Sequence, residues 1–251
     1  MPGLDTVVGM ADSECATVLV VQNQPGGGPR RFGEWLTEDG LKLDIVSGHQ
    51  GRMPPSTVQH HDAVLVLGGG FLPDDDARAP WLAPTRGLVR DALDTGTPVL
   101  GICLGAQLLA LVAGGVVEGD VGAPEAGSTP IRRRDAADGD PLFGALPDRF
   151  PAIEHHVDAI TKLPTDAVWL AESDRCPIQG FRVGATAWGT QFHPEVTPDR
   201  LLGWDRDRLI GQGFDPEELC ATAIADEPVS TPLWRGMAAR FAAVVRDRAG
   251  R

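Results

Sequence analysis

Cysteine is scarce and scattered: Cys15, Cys103, Cys176 and Cys220 are the four in 251 residues, and no two of them form a Cys-x-x-Cys pair. This excludes a disulfide-built scaffold and a cysteine zinc site, and a free thiol nucleophile fits a reducing compartment. Basic residues are outnumbered, 22 Lys and Arg against 35 Asp and Glu, for a net charge of -13. Nucleic acid and anionic membranes both require basic protein surface, so neither is expected as a partner. The dense basic run, Arg132-Arg133-Arg134, is followed by Asp135, Asp138 and Asp140 and reads as a solvated strand end. The N-terminus has no basic segment ahead of an apolar stretch, so no signal peptide is expected. No apolar run nears the roughly 20 residues of a membrane span. A cytoplasmic protein is the expectation.

What is present is an alternation of strands and helices. Thr17 to Gln22 and Ala63 to Leu67 are continuous apolar runs, as in strands covered on both faces. Arg30 to Glu38 and Trp81 to Leu93 carry helical spacing, and Leu41 to Val46 alternates like a strand. Pro98 to Ile102 follows a Thr-Gly-Thr-Pro turn and reads as another buried strand. The pattern predicts a doubly wound α/β fold with a mostly parallel sheet and helices on both faces. The right-handed crossover rule then brings Gly68–Gly70 and Cys103 to one edge of that sheet.

The second half predicts short strands, partly antiparallel, at Val116–Glu118, Ser128–Arg133, Ile153–Ile160, Val168–Glu172, Ile178–Val183 and Thr186–Phe192. Helices are expected around Asp199–Ile210, Pro216–Ala225 and Thr231–Arg248. Without an internal repeat or low-complexity linker, the organisation reads as a leader (1–15), one α/β domain (16–198) and a helical C-terminal extension (199–251) packed on it.

The chemistry centres on Gly101-Ile102-Cys103-Leu104-Gly105, where the buried strand gives way to a helix with apolar residues at Leu104, Leu108, Leu111 and Val112. Glycine on both sides of the cysteine removes the Cβ atoms that would clash in a sharp strand-to-helix turn. This is a nucleophile elbow with cysteine in place of serine. The helix N-terminus favours thiolate over thiol, and the Leu104 N–H points to an oxygen bound beside the sulfur.

A cysteine nucleophile needs a base and a group that orients it. Among six histidines, His193 ends an apolar strand and is followed by Pro194-Glu195, so Glu195 can fold back and fix the imidazole tautomer. The Gly68-Gly69-Gly70 turn has three readings. A dinucleotide loop fails because Pro73 stands at the last glycine position of Gly-x-Gly-x-x-Gly. A plain tight turn, or a Gly69 N–H forming a two-donor oxyanion hole with Leu104, remains. His155 and His156 would point to opposite faces of a strand, so no metal site is expected there. His49, His60 and His61 are expected on the surface.

Leu100-Gly101-Ile102-Cys103-Leu104-Gly105-Ala106-Gln107, with Gln191-Phe192-His193-Pro194-Glu195 and the Gly-Gly turn after a strand, resembles the class I (triad) glutamine amidotransferases over roughly residues 16 to 200. Within that group it is similar to stand-alone proteins resembling the glutaminase domain of GMP synthase. Pro80-Trp81-Leu82, Leu146-Pro147, His156-Val157-Asp158 and Gln179-Gly180-Phe181-Arg182 add to the likeness. The resemblance implies a flavodoxin-like fold and hydrolysis of the glutamine amide without a cofactor. Cys103 would be the nucleophile, His193 the general base and acid, Glu195 the orienter, and Gly69 and Leu104 the oxyanion donors.

It further implies that Gln107 and the backbone of His155, Val157 and Asp158 hold the α-amino and α-carboxylate groups. Val157 stands where many relatives carry glycine; a backbone contact survives if its φ stays negative. The third glycine of Gly68–Gly70 stands where many carry proline and loosens the turn. The chain has no Gly-x-x-x-x-Gly-Lys-Ser/Thr loop and no ATP-pyrophosphatase half. The ammonia would therefore go to a separate synthetase subunit, with the C-terminal helices as its docking surface. A self-contained γ-glutamyl peptide hydrolase is the alternative enzyme. A catalytically silent binding protein is a third reading, and His193-Pro194-Glu195 argues against it.

Overall fold

The computed structural model describes residues 15–250; the leader expected at 1–15 lies outside them except for Cys15. β1 (Thr17–Gln22), α1 (Arg30–Glu38), β2 (Lys42–Ser47), β3 (Ala63–Val66), α2 (Leu82–Thr95), β4 (Val99–Ile102) and α3 (Leu104–Val112) form the doubly wound half. β5 (Val116–Glu118), β6 (Glu125–Arg133), β7 (Arg149–His156), β8 (Ala159–Lys162), β9 (Val168–Glu172), β10 (Gly180–Val183) and β11 (Ala187–Thr190) follow, and then α4 (Arg206–Gly211) and α5 (Pro216–Ala249). The main sheet runs β2-β1-β3-β4-β11-β10-β9-β6-β7. Its first five strands are parallel to their neighbours, and from β10 onward the pairing is antiparallel. This is the predicted α/β fold, and it belongs to the flavodoxin-like class.

The continuous apolar runs are explained by burial on both faces. In β1, Val18 and Val20 face a core layer with Phe32, Trp234 and Phe241, while Leu19 and Val21 face the opposite layer with Leu82, Val89 and Leu108. All eight of the apolar residues Val18–Val21 and Ala63–Val66 are fully buried. Each large aliphatic among them is worth roughly 1.5–3 kcal/mol over an exposed position.

Four expectations are corrected. The single strand expected over Ile153–Ile160 is β7 and β8, separated at Val157–Asp158. β7 pairs with β6 in the main sheet and β8 with β5 in a separate ribbon, so the chain changes sheets there. The helices expected at Pro216–Ala225 and Thr231–Arg248 are one helix, α5, which runs through Pro228 and Pro232. Each proline removes one i→i−4 hydrogen bond. The helix persists because tertiary contacts hold both sides of the gap. Trp234, Met237, Phe241 and Val245 are buried in the core, and Glu227 and Thr231 both bind Arg31 of α1. The stretch expected as a helix over Asp199–Ile210 is a 3-10 turn, Pro198–Gly203, and then α4. His60 is exposed as expected, but His49 and His61 are half-buried, and His61 Nε2 lies 3.0 Å from Asp44 Oδ2.

Candidate active site

β4 and β11 are adjacent and parallel, so the residues after them emerge at the same sheet edge. Cys103 follows β4 directly, and its N–H donates to Thr190 O of β11 at 2.7 Å. Its backbone has φ +52° and ψ -109°, a strained conformation for a residue with a side chain. The turn is held by close backbone approach on both sides. A Cβ on Gly101 would lie 2.4 Å from Gly105 O, and one on Gly105 would lie 2.0 Å from Val66 O. Only glycine allows α3 to start this close to β3 and β4.

His193 is placed by β11 and by its own N–H, which donates to Ile153 O at 2.8 Å. Its Nδ1 lies 2.8 Å from Glu195 Oε1, an arrangement in which Nδ1–H donates to the carboxylate and Nε2 is left for the sulfur. Burial disfavours the imidazolium, but Glu195 and Cys103 outweigh it and hold the His193 pKa well above the ordinary 6.5. The turn carrying both residues is clamped by Arg31. Its Nε donates to Pro194 O at 3.0 Å and its Nη2 to Val196 O at 2.6 Å, while Nη1 pairs with Glu227 of α5. Sequence reasoning missed Arg31, because its partners are more than 160 positions away.

Gly68 and Gly69 lie against the same centre. A Cβ on Gly68 would sit 3.0 Å from His193 Cε1 and 3.5 Å from Cys103 Cβ. One on Gly69 would sit 2.9 Å from both Asn23 Cβ and Leu104 Cδ2. Neither residue has positive φ, so close approach explains the glycines. The third, Gly70, has nothing within 4 Å of such a Cβ. Buried Asn23 braces the turn: its Nδ2 donates to Leu67 O at 2.6 Å and its Oδ1 accepts from Trp81 Nε1 at 2.9 Å. The Leu104 N–H is one of the first-turn donors that a helix leaves without an internal partner. The two backbone segments named as oxyanion donors therefore border the same sulfur.

A cavity of about 210 Å³ opens over Cys103 and His193. Gly69, Gln107, His155, His156, Val157 and Asp158 line it, together with Arg208, which the sequence did not single out. Gln107 donates from Nε2 to Asp158 O at 3.1 Å and to Gln191 Oε1 at 3.2 Å, so Oε1 is its group for accepting from a ligand. Gln191 Nε2 in turn lies 3.5 Å from Cys103 Sγ. Val157 φ is not positive, and its carbonyl accepts from Val121 N–H at 3.1 Å. Asp158 Oδ1 accepts from Asp120 N–H at 2.9 Å, which holds the loop that borders this side of the cavity. His155 stacks on Trp204 at 4.0 Å. Burial, and then the positive charges of His193 and Arg208, push its pKa down to about 4, so it is neutral at neutral pH.

Behind the cysteine lies a buried polar cluster. Glu125 accepts from Ser173 Oγ and Gln179 Nε2, both at 2.7 Å, and lies 3.1 Å from His156 Nε2. Glu125, His156 and Cys176 are the group of described residues whose donor atoms come within 4.8 Å of one another, the spacing a cation would need. His155 and His156 do face opposite sides of β7: His155 packs its ring on Trp204 at the cavity rim while its outer side reaches solvent, and His156 is buried. Glu154 is fully buried; neither of its carboxylate oxygens makes a hydrogen bond, and His156 Nε2 lies 3.4 Å from Oε2. Burial, and then the Glu125 charge, push its pKa well above the ordinary 4.5, so it is held as the neutral acid.

A carboxyl with a raised folded-state pKa contributes stability in full below its ordinary value, and loses it as pH rises toward the folded value. Glu154→Gln, which mimics the neutral acid, is expected to match the parent at about pH 4.5 and to exceed it at about pH 8. Urea midpoints at the two pH values check this. A difference between variant and parent that does not grow with pH would contradict a neutral Glu154.

The family model described as Glutamine amidotransferase class-I matches residues 37–201. A glutamine-hydrolyzing GMP synthase subunit of Thermoplasma acidophilum is 33% identical over 182 residues, which cover 71% of this chain and 84% of the relative. The corresponding GMP synthase subunit of Methanopyrus kandleri is 39% identical over 100 residues, which cover 39% of this chain and about half of the relative, 52%. A solved glutamine amidotransferase from Thermotoga maritima superposes with a TM-score of 0.81 at 27% identity, covering 91% of this chain and 98% of that one.

Proposed function

The chain belongs to the class I glutamine amidotransferase family, and we propose that it hydrolyses the glutamine side-chain amide through a Cys103 thioester, with His193 and Glu195 completing the triad. The observation that carries this reading is the Cys103 elbow set beside an imidazole whose Nδ1 is held 2.8 Å from a buried carboxylate.

The substrate's acyl half lies in the cavity with Gln107, Val157 and Asp158. Gln107 Oε1 accepts from its ammonium, and Arg208 pairs with its α-carboxylate. Cys103 Sγ attacks the amide carbon, and the carbonyl π electrons move onto oxygen. The N–H groups of Gly69 and Leu104 hold this oxyanion, each worth roughly 3 kcal/mol of barrier if it behaves as in other acyl-transfer enzymes. Collapse re-forms the carbonyl and breaks the C–N bond, and the His193 imidazolium gives its proton to the departing nitrogen. Water then loses a proton to His193 and attacks the thioester, which releases glutamate and regenerates the thiolate. The chemistry needs no cofactor.

The relatives named above are single subunits of GMP synthase. By that likeness, the ammonia made here passes to a separate synthetase subunit, which docks on the C-terminal helices where Leu202, Ile210 and Ile224 are exposed. No helix of the described residues is long and apolar enough to cross a membrane.

A glutamine-derived electrophile followed by mass mapping tests the site. The expected result is a single label on Cys103 that excess glutamine blocks, with ammonia released from glutamine by the unlabelled protein. Absence of label at every cysteine would favour a silent binding protein.

A further inference from the structure

The start of β6, the end of β7 and the loop between β9 and β10 meet in the buried polar cluster. Glu125 and His156 stand directly opposite each other in the β6–β7 register, and Cys176 comes from the loop. All three are buried. A carboxylate oxygen, an imidazole nitrogen and a sulfur thus converge within 4.8 Å of one another. The proposed hydrolysis uses none of the three. No local motif announces the group, because its members are far apart in sequence and only the sheet brings them together.

Each side chain is aimed by an outer partner. His156 Nδ1 lies 3.1 Å from Asp158 O, an arrangement in which Nδ1–H donates and Nε2 keeps its lone pair. Glu125 is fixed by Ser173 Oγ and Gln179 Nε2, which donate to its two oxygens at 2.7 Å. The Cys176 N–H donates to the same Ser173 Oγ at 2.9 Å, which sets the loop that carries the sulfur. An Nε2 lone pair then faces two carboxyl groups, Glu125 Oε2 at 3.1 Å and Glu154 Oε2 at 3.4 Å. Acceptors converge stably only around a proton or a cation. Bonds of about 2.0–2.2 Å to a tetrahedral cation separate its N and O ligands by about 3.3–3.6 Å, and the 3.1 Å between Nε2 and Glu125 Oε2 is close to that.

We propose that Glu125, His156 and Cys176 bind a zinc ion. A thiolate, an imidazole and one carboxylate suit zinc and not magnesium or calcium, which take oxygen ligands. The charges also balance, because one thiolate and one carboxylate neutralise a divalent cation, as a buried site needs. Binding exchanges the Cys176 S–H proton, which passes to solvent, for the metal. Water in the fourth position gives fully buried Glu154 the hydrogen-bond partner that its two oxygens lack. Glu125 also lines a hollow of about 290 Å³ with Ser128 and Asp174, which gives the ion a way in.

The test uses the full chain, stripped with a chelator and titrated with zinc or cobalt(II). The expected result is one zinc per chain by elemental analysis after gel filtration, and a thiolate-to-cobalt charge-transfer band in the near ultraviolet. Cys176→Ser is expected to abolish the band and, like His156→Gln, to weaken zinc binding by no less than the roughly 10–100-fold that loss of an outer-shell partner costs. Cys103→Ala and Cys220→Ser are expected to bind both metals as the parent does. If Cys176→Ser does not fold, X-ray absorption of zinc-loaded Cys103→Ala decides: one sulfur at about 2.3 Å supports the site, and none overturns it. A parent that retains no zinc, or a band that survives Cys176→Ser, also overturns it. The proposal does not rest on the triad reading. Zinc bound without glutamine turnover would leave this site standing and count against the triad alone, and turnover by a protein that takes no zinc would do the reverse.

Discussion

Cys103→Ala is expected to lower glutamine turnover by at least ~10⁴-fold while leaving the protein folded. In the proposed mechanism the sulfur is the atom that bonds to carbon, and none of the other cysteines is placed to replace it. Cys176 is buried beside Glu125, and burial pushes its thiol pKa well up, which makes it a poor nucleophile. Cys15 and Cys220 belong to other parts of the chain and do not line the cavity over His193. Alanine at this position meets the same positive φ that cysteine already tolerates, so the elbow adds no new strain. Ammonia release and far-UV circular dichroism check the two halves of the expectation. An alanine variant that is folded and still makes ammonia at the parent rate would remove Cys103 from the mechanism.

Glu195→Gln is expected to cost on the order of 10²–10⁴-fold in kcat and to move the basic limb of the pH–rate profile to lower pH. Glutamine keeps the volume and an oxygen that can accept from His193 Nδ1, so the substitution isolates the charge. In the parent, burial disfavours the imidazolium, and Glu195 is the first of the groups that outweigh it. The His193 pKa is therefore raised, and the acid that protonates the leaving nitrogen survives to higher pH. Without the Glu195 charge the burial effect gains, His193 loses its proton earlier, and the basic limb moves down. A basic limb that stays in place while kcat falls would mean that Glu195 acts through position alone.

Local chemistry made some parts of this protein legible. β1 and α1 have the ranges that their apolar spacing predicts, Thr17–Gln22 and Arg30–Glu38. The elbow could be read because Gly101 and Gly105 face each other four residues apart across the sharp turn, and His193 with Glu195 because only a proline separates them. Where an element depends on distant partners, the reading failed. Pro228 and Pro232 look like helix breaks, yet α5 continues because Arg31, nearly 200 positions earlier, binds Glu227 and Thr231. Ile153–Ile160 reads as one strand, yet the chain leaves one sheet for another at Val157, because β6 and β5 pair with its two halves.

The sequence by itself determined the α/β class, the cysteine elbow and the histidine–glutamate pair set beside it, since each is encoded in a short run with its own steric and chemical demands. Only the tertiary structure decided what surrounds them. It set a buried Glu154 behind the thiol, an Arg31 clamp on the His193 turn, and a half-buried Arg30 and Arg200 beside that turn. Those features arise from burial and from charges brought together across the fold, and neither quantity is a property of any local stretch of residues.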